Sequence, residues 1–196
     1  MRRPLLAGTL LLLAGCLNLA PKPDPSQFFL LTAASQSQGT RVGPTIGIRR
    51  VTLPDYLDQS QLVTRVSPEE VEFLPAARWA EPLATQMTRI LANDIASAAG
   101  LAEVPVYPWV RNRTPSFVVS VNVQRFEREG GSVLLEATYR LEDSTGVIHR
   151  PPRTSSITEA TDSAGPAATV SAMSRALTRL SKEMVESVGR PLGSNP

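Results

Sequence analysis

Apolar and polar residues alternate along two neighbouring stretches of the chain, which is the period of β-strands with one buried face. The apolar positions are Phe117, Val119, Val121 and Val123 in the first stretch, and Val133, Leu135, Ala137, Tyr139 and Leu141 in the second. Gly130-Gly131 lies between the two stretches and predicts a hairpin turn. The alternation changes phase before Phe126, which indicates a β-bulge in the first strand.

Two other stretches repeat apolar residues at steps of three and four, which is the period of an amphipathic helix. The first helix should begin near Ala80 or Glu81, because Pro82 fits only the first turn of a helix. Gly100 stands where a helix C-cap is expected. The second helix is predicted over residues 166–188.

Shorter apolar or β-branched runs predict the remaining strands. They cover residues 27–33, 45–53, 62–66 with 71–74, and 153–161, the last of which is polar and should lie at or near a sheet edge. Strands, helix, strands and helix follow one another in this order. The pattern therefore predicts an α/β fold in which two amphipathic helices pack on one mixed β-sheet.

The N-terminus has the features of a bacterial lipoprotein signal. Arg2 and Arg3 precede an apolar stretch over residues 5–14, which is too short for the roughly 20 residues of a transmembrane helix. The stretch ends in Leu13-Ala14-Gly15-Cys16, and Cys16 is the single cysteine of the chain. We expect cleavage before Cys16, a diacylglycerol thioether on its sulfur and an acyl chain on its amine. The alternative, a buried cysteine in a core helix, fits the flanking arginines and prolines poorly.

The domain organisation follows from this signal. Residues 1–15 form the signal peptide, 16–26 the lipidated N-terminus with a proline-rich tether, 27–190 a single globular α/β domain and 191–196 a C-terminal tail. Prolines at alternate positions favour an extended polyproline II tether. The mature chain carries 18 basic and 18 acidic residues, because two of the 20 Lys and Arg leave with the signal. This balance removes the charge argument for nucleic-acid binding.

The sequence lacks the sets of residues that catalyse reactions or bind cofactors and metals. His149 is the only histidine and lies between apolar residues and Arg150, in a stretch typical of a surface loop. No nucleophile elbow or phosphate-binding loop is present. The acidic clusters at Asp55 with Asp58, and over residues 69–72, are typical of solvated turns. The sequence predicts a protein that is not an enzyme and needs no cofactor.

Two stretches of the chain are distinctive: Leu53-Pro54-Asp55-Tyr56-Leu57-Asp58-Gln59-Ser60-Gln61-Leu62-Val63-Thr64-Arg65 and Arg78-Trp79-Ala80-Glu81-Pro82-Leu83. The first resembles the signature Pro-x-Tyr-Leu-Asp followed by Gln-Ile-Val-Thr-Arg of the PqiC/YmbA-like lipoproteins, the auxiliary components of ABC-type, MCE-associated transport systems. The second is similar to the second signature of the same family. An early Tyr-Tyr-x-Leu strand is matched by Phe28-Phe29-Leu30-Leu31, with phenylalanine at both tyrosine positions.

The resemblance implies an α/β body with a mixed sheet, similar to anticodon-binding-like and TolB N-terminal folds. It also implies an outer-membrane anchor that faces the periplasm, an MCE-domain protein as partner, and a homo-oligomeric ring as one arrangement. Leu17, which follows the lipidated cysteine, is compatible with sorting to the outer membrane. Alternatives are a carrier that itself binds a lipid or hydrophobic solute, and an envelope assembly or scaffold lipoprotein.

The signature residues have two interpretations. In the structural one, Tyr56, Leu57 and Trp79 fasten the loop over the first helix, and Arg65 or Arg78 pairs with Asp58 or Glu81. In the other, they form a contact surface for a partner, because Tyr, Trp and Arg are favoured anchors of interfaces. Besides the lipid-attachment residue Cys16, the candidate residues are Asp55, Tyr56, Leu57, Asp58, Gln61, Arg65, Arg78, Trp79, Glu81 and Pro82.

Overall fold

The computed structural model describes residues 24–34, 37–40, 46–110, 114–148 and 151–188. The signal peptide, Cys16, most of the tether, His149 and the C-terminal tail lie outside these ranges. The predictions made for them are therefore not addressed by the fold.

Within the described ranges, seven strands and two helices form the domain. The strands are β1 (Gln27–Phe29), β2 (Ile46–Ile48), β3 (Gln61–Ser67), β4 (Glu70–Trp79), β5 (Phe117–Glu129), β6 (Ser132–Asp143) and β7 (Arg153–Ala160). The helices are α1 (Leu83–Ala99) and α2 (Pro166–Val188). The strands make one mixed sheet in the order β1-β4-β3-β5-β6-β7, and β2 pairs in parallel with β5. This arrangement confirms the predicted α/β class.

The predicted hairpin is the centre of the sheet. β5 and β6 pair antiparallel along their whole length, and their register shifts between Val123 and Arg125, which confirms the bulge. Gly130 adopts a φ of 58° in the turn, a conformation that favours glycine. The alternating apolar residues of both strands are buried in a single core under the helices. The strand predicted over 153–161 lies at the sheet edge as β7.

α2 has its predicted limits, whereas α1 begins at Leu83, two to three residues after the predicted start at Ala80 or Glu81. Pro82 occupies the N-cap of α1 with φ −52° and ψ 130°, and Gly100 caps the other end in the left-handed conformation. The helices contact each other, and α2 lies over β5, β6 and β7. Their apolar stripes join one core with the sheet, so both helices pack on the same face.

β4 is longer than the predicted stretch 71–74. The pairing of β3 with β4 jumps from Leu62↔Leu74 to Gln61↔Arg78, so residues 75–77 bulge away from β3. Pro75 lies in this bulge, where a missing backbone N–H breaks no ladder hydrogen bond. The predicted strand ended at residue 74, just before Pro75, whereas β4 continues to Trp79.

β1 is shorter than the predicted strand over 27–33, because buried side chains of the helices bind the backbone that follows it. These contacts replace the hydrogen bonds of a neighbouring strand. They join Leu31 N to Gln86 Oε1 at 2.8 Å, Thr32 N to Ser174 Oγ at 3.1 Å and Ala34 N to Asp94 Oδ1 at 3.1 Å. The segment downstream of the tether is thereby fixed to both helices.

Asp94 is a buried carboxylate, and burial raises its pKa above the ordinary value despite hydrogen bonds from Thr178 and Ala34. A group whose pKa is raised by folding stabilises the protein below its unfolded-state pKa. That contribution is lost as pH rises through the folded-state pKa. We therefore expect Asp94→Asn, which retains an acceptor for Ala34, to unfold at higher temperature than wild type at pH 7.

The same variant should lose its advantage as pH falls to about 4, near the unfolded pKa of aspartate. Thermal unfolding at pH 4 and pH 7, followed by circular dichroism, measures both differences. The control is Asp94→Ala, which leaves the Ala34 N–H without its acceptor and should destabilise by about 1–3 kcal/mol at pH 7. A lower stability of Asp94→Asn at pH 7 would contradict the desolvation argument.

Candidate functional site

The first signature forms a loop at the bulge of β5. β2 and β3 both pair in parallel with β5, β2 near Val118 and β3 near Arg128. The loop over residues 53–60 connects these two strands across the gap between them. Within the loop, Leu57 N donates to Pro54 O at 2.9 Å, and the Leu57 side chain is buried in the core.

A buried carboxylate on β5 holds this loop. Glu127 is fully buried, and each of its oxygens accepts two hydrogen bonds. Oε1 accepts from Arg65 Nε at 2.8 Å and from Arg125 Nε at 2.9 Å. Oε2 accepts from the Tyr56 hydroxyl at 3.0 Å and from Phe126 N at 2.8 Å. We call Tyr56, Arg65, Arg125 and Glu127 the Glu127 cluster.

Electrostatics keep Tyr56 and Arg65 each in one protonation state near neutral pH. Burial raises the pKa of Tyr56 to about 12, and the negative charge of Glu127 adds to this effect. The hydrogen bond to Glu127 raises the pKa of Arg65. The Arg65 guanidinium also lies 6.0 Å from the centroid of the Tyr56 ring, within the range of a cation–π contact. Tyr56 therefore remains a neutral donor and Arg65 a cation.

The cluster is suited to fixing structure rather than to transferring protons. An ionised carboxylate has about four acceptor positions, and Glu127 uses four for protein donors. A general base needs a free position directed at its substrate. The geometry supports the structural interpretation of Tyr56 and Arg65, although Tyr56 binds β5 rather than the first helix.

The predicted partner of Arg65 is wrong. Arg65 pairs with Glu127 instead of Asp58 or Glu81, because its strand β3 lies directly beside β5. Asp58 is exposed in the turn before β3. Alternation along β5 places Glu127 on the polar face of the sheet, which predicts exposure. Tyr56 of the loop, together with Arg65 and Arg125, covers the carboxylate, so the sequence carried no sign of its role beyond the nearby bulge.

The second signature also pairs differently from the prediction. Glu81 forms a surface ion pair with Arg89, at 3.1 Å between Oε2 and Nη2. Arg78 Nε lies 3.4 Å from Pro75 O, within its own strand. Arg78 forms no ion pair with Asp58 or Glu81 among the described residues, so the predicted pairing of Arg78 is wrong.

The two signatures nevertheless meet in the fold. Trp79 is buried in the core, and its backbone N donates to Ser60 O at 2.8 Å. Gln61 lies opposite Arg78 in the pairing of β3 with β4. Asp55 contributes its backbone carbonyl to Gln59 Nε2 at 2.8 Å, while its side chain is exposed at the turn. The shared contacts indicate that both signatures stabilise one corner of the domain.

A cleft of about 460 Å³ opens between the β3–β4 side of the sheet and the start of α2. Leu74, Pro75 and Ala76 contribute apolar surface, and Arg128 and Glu72 contribute charges. Pro25 also lines the cleft, so the tether joins the domain at this place. The sequence patterns gave no indication of it, because its lining comes from segments far apart in the chain.

In the part of the chain that the structure describes, neither helix is long and apolar enough to cross a membrane. Across the same ranges, no group of three or more histidine, cysteine, aspartate or glutamate side chains is arranged to hold a metal ion.

Comparison with known proteins identifies the family. The model of the family described as ABC-type transport auxiliary lipoprotein component matches residues 29–185. A solved structure of a Xanthomonas campestris protein of family DUF330 is 18% identical, covers 85% of this chain and 98% of its own, and has a TM-score of 0.68. A second, described as an uncharacterized protein, is 17% identical, covers 83% of this chain and 98% of its own, and has a TM-score of 0.69.

No curated protein matches the sequence significantly. At these identities the two solved structures show a shared fold, whereas the family match covers most of the domain, including both signatures. The chain therefore belongs to the family of ABC-type transport auxiliary lipoprotein components, as its resemblance to PqiC/YmbA-like lipoproteins predicted.

Proposed function

We propose that this protein is a non-catalytic, outer-membrane lipoprotein that faces the periplasm and docks partner proteins of an MCE/ABC-type lipid transport system. One observation carries the proposal: the family match begins at residue 29, shortly after the predicted lipid-attachment residue Cys16. The anchor and the folded domain are therefore separated only by the proline-rich tether. An auxiliary component with an anchor, a tether and a folded domain holds that domain in position and does not catalyse a reaction.

The anchor and the tether define the reach of the domain. Acyl chains contribute about 0.8 kcal/mol per buried CH₂, so two or three chains on Cys16 give lasting attachment. An extended tether over residues 17–26 spans at most about 30 Å at roughly 3.1 Å per residue. The domain would thus remain near the membrane surface while its far side is accessible to proteins in the periplasm.

Replacing the lipidated cysteine tests the anchor. We expect Cys16→Ser to remove the protein from the outer-membrane fraction, because no thioether to diacylglycerol can form. Leu17→Asp is the matched variant, which keeps the cysteine and should move the anchored protein to the inner membrane. Density-gradient separation of the two membranes, with immunoblotting, measures both. Retention of Cys16→Ser in the outer membrane would refute lipid anchoring at this residue.

Purification of the wild-type protein tests the transport role. We expect an MCE-domain protein to co-purify from membranes solubilised in mild detergent, and deletion of the lipoprotein to increase envelope permeability. Absence of the MCE protein together with unchanged permeability would reject the assignment. A ring of identical subunits stays a prediction, and native mass spectrometry of the same preparation measures the subunit number.

The cleft beside the tether favours a second candidate function, that of a carrier for a lipid or hydrophobic solute. Its volume of about 460 Å³ lies within the range of small-molecule sites, and Leu74, Pro75 and Ala76 supply apolar surface. Mass spectrometry of extracts from the purified protein distinguishes the candidates. A carrier should yield a bound lipid at a fixed ratio to protein, whereas a docking component should yield none beyond its own acyl chains.

A further inference from the structure

A polar cleft of about 340 Å³ lies on the face of the sheet opposite the helices. On β5 and β6, its side chains occupy positions that alternate with the core residues Val119, Val123 and Ala137. Among its described lining residues there is no aspartate or glutamate. We call it the outer-face cleft, and its polar side chains on this face are those of Thr52, Ser120, Asn122, Gln124, Thr138 and Arg140.

The pairing of the strands brings these side chains together into one site. Asn122 pairs with Thr138 of β6 and bridges to Thr52, which follows β2. Two residues earlier on β5, Ser120 pairs with Arg140. The Cβ atoms of directly opposed residues on antiparallel strands stand about 5 Å apart, so side chains from the three segments adjoin one another.

A buried hydroxyl without a partner lies in this cleft. Among the buried side-chain nitrogen and oxygen atoms of the described residues, Ser120 Oγ alone has no hydrogen-bond partner. A buried polar group without a partner destabilises the fold. Rotation about the Cα–Cβ bond gives a serine hydroxyl three staggered positions. An acceptor bound in the cleft would therefore gain a hydrogen bond that the free protein lacks.

Arg140 gives the outer-face cleft a positive charge that is only partly balanced. Its Nε lies 3.5 Å from Glu142 Oε2, whereas a strong charged hydrogen bond measures about 2.7–2.9 Å. Glu142 Oε1 already accepts from Arg49, at 3.1 Å from Nε and 2.9 Å from Nη2. Two guanidinium groups thus share one carboxylate. The Arg140 side chain is 49% exposed, so its other donors remain available to a ligand.

These groups indicate the chemistry of the ligand. Guanidinium, hydroxyl and amide donors are the side-chain groups with which proteins bind phosphate oxygens. Asn122 and Thr52 are exposed, and their side chains form no hydrogen bond with another described residue. The volume of about 340 Å³ lies within the range of small-molecule sites and leaves room for an organic group on the phosphate. The polar lining does not suit an acyl chain.

The outer-face cleft is separate from the cleft beside the tether. The cleft beside the tether includes Pro166 and Thr169 of α2, and the two clefts share no lining residue. A ligand of the outer-face cleft therefore leaves the cleft beside the tether free. An inference about the outer-face cleft goes beyond the proposed docking function and does not depend on it.

We propose that the outer-face cleft binds the phosphate group of a phosphate ester. Arg140 supplies the positive charge. Ser120, Asn122 and Thr52 donate hydrogen bonds to the phosphate oxygens. A phospholipid headgroup and a soluble phosphate ester share this chemistry, and the ligands of the test separate the two.

Nuclear magnetic resonance of the full chain in nonionic detergent tests the inference. Inorganic phosphate, glycerol phosphate and dihexanoylphosphatidylglycerol are titrated separately. We expect saturable shifts of the amide signals of residues 120–124 and 138–140 and of the Asn122 side-chain amide. Tightest binding of dihexanoylphosphatidylglycerol would support a lipid headgroup, and tightest binding of either other ligand a soluble phosphate. No saturable shift at these residues with any ligand, as when water alone fills the cleft, would overturn the inference.

Three variants measure the assigned roles. Arg140→Gln should weaken binding at least about tenfold, because it removes the charged donor. Ser120→Ala should weaken binding about two- to tenfold without lowering the unfolding temperature of the free protein, since its hydroxyl has no partner to lose. Arg153→Gln is the matched control and should leave binding unchanged, because Arg153 is exposed on β7 and does not line the cleft.

Three results with these variants and ligands would contradict the phosphate site. Equal weakening by Arg140→Gln and Arg153→Gln would show a general attraction of anions to the surface. Acetate that binds as tightly as inorganic phosphate would show that the cleft does not select phosphate. A lower unfolding temperature of Ser120→Ala with unchanged binding would show that this hydroxyl serves the fold and not a ligand.

Discussion

Glu127→Ala should lower the free energy of unfolding by about 3–5 kcal/mol, which is the range for removing one partner of a buried ion pair. The substitution leaves the guanidinium groups of Arg65 and Arg125 without their shared acceptor inside the protein. It also deprives the Tyr56 hydroxyl and the Phe126 N–H of Glu127 Oε2. Urea unfolding of the purified protein, followed by circular dichroism, measures the change.

Glu129→Ala is the matched control for this prediction. Glu129 lies on the same strand and also contacts Arg125, at 2.7 Å from Nη2, but its side chain is 48% exposed. Exposed ion pairs contribute about 0–1 kcal/mol, so the control should change stability little. Limited proteolysis of the loop over residues 53–60 should accelerate in Glu127→Ala only. If both variants unfold at the same urea concentration, the Glu127 cluster does not stabilise the fold.

Gln86→Leu is the second substitution with a large expected effect, about 2–4 kcal/mol, because it removes two hydrogen bonds inside the protein. The fully buried Gln86 side chain accepts from Leu31 N at 2.8 Å and donates from Nε2 to Glu81 O at 2.9 Å. Leucine satisfies neither group. The segment downstream of β1 should therefore detach from α1 before the rest of the domain unfolds.

Hydrogen exchange locates this effect. In Gln86→Leu, the amides of residues 31–34 should exchange faster than those of β5, whereas in wild type both should be protected. Arg89→Ala is the control, since Arg89 contacts the same Glu81 through an exposed pair at 3.1 Å. It should alter stability by at most about 1 kcal/mol. Unchanged exchange at residues 31–34 in Gln86→Leu would show that α1 does not hold this segment.

Local sequence patterns predicted the elements that depend on neighbouring residues. The turn at Gly130-Gly131, the bulge near Phe126 and the C-cap of α1 at Gly100 were all confirmed, and the predicted start of α1 was wrong by two to three residues. Each of these features follows from residue spacing and backbone conformation within a few positions. The limits of β1 and β4 were wrong where a distant segment supplies or removes the hydrogen-bond partners of the backbone.

The sequence by itself determined the α/β class, the central hairpin, both helices and the family to which the chain belongs. Only the tertiary structure decided that Arg65 pairs with Glu127 and that Gln86 holds the backbone after β1. The spacing of apolar residues predicts which face of a helix or strand is apolar, because that spacing is a property of neighbouring residues. It does not predict which distant segments cover a given face. For that reason lipid attachment at Cys16 is predicted from its neighbours alone and stays a prediction, whereas the buried position of Glu127 required the fold.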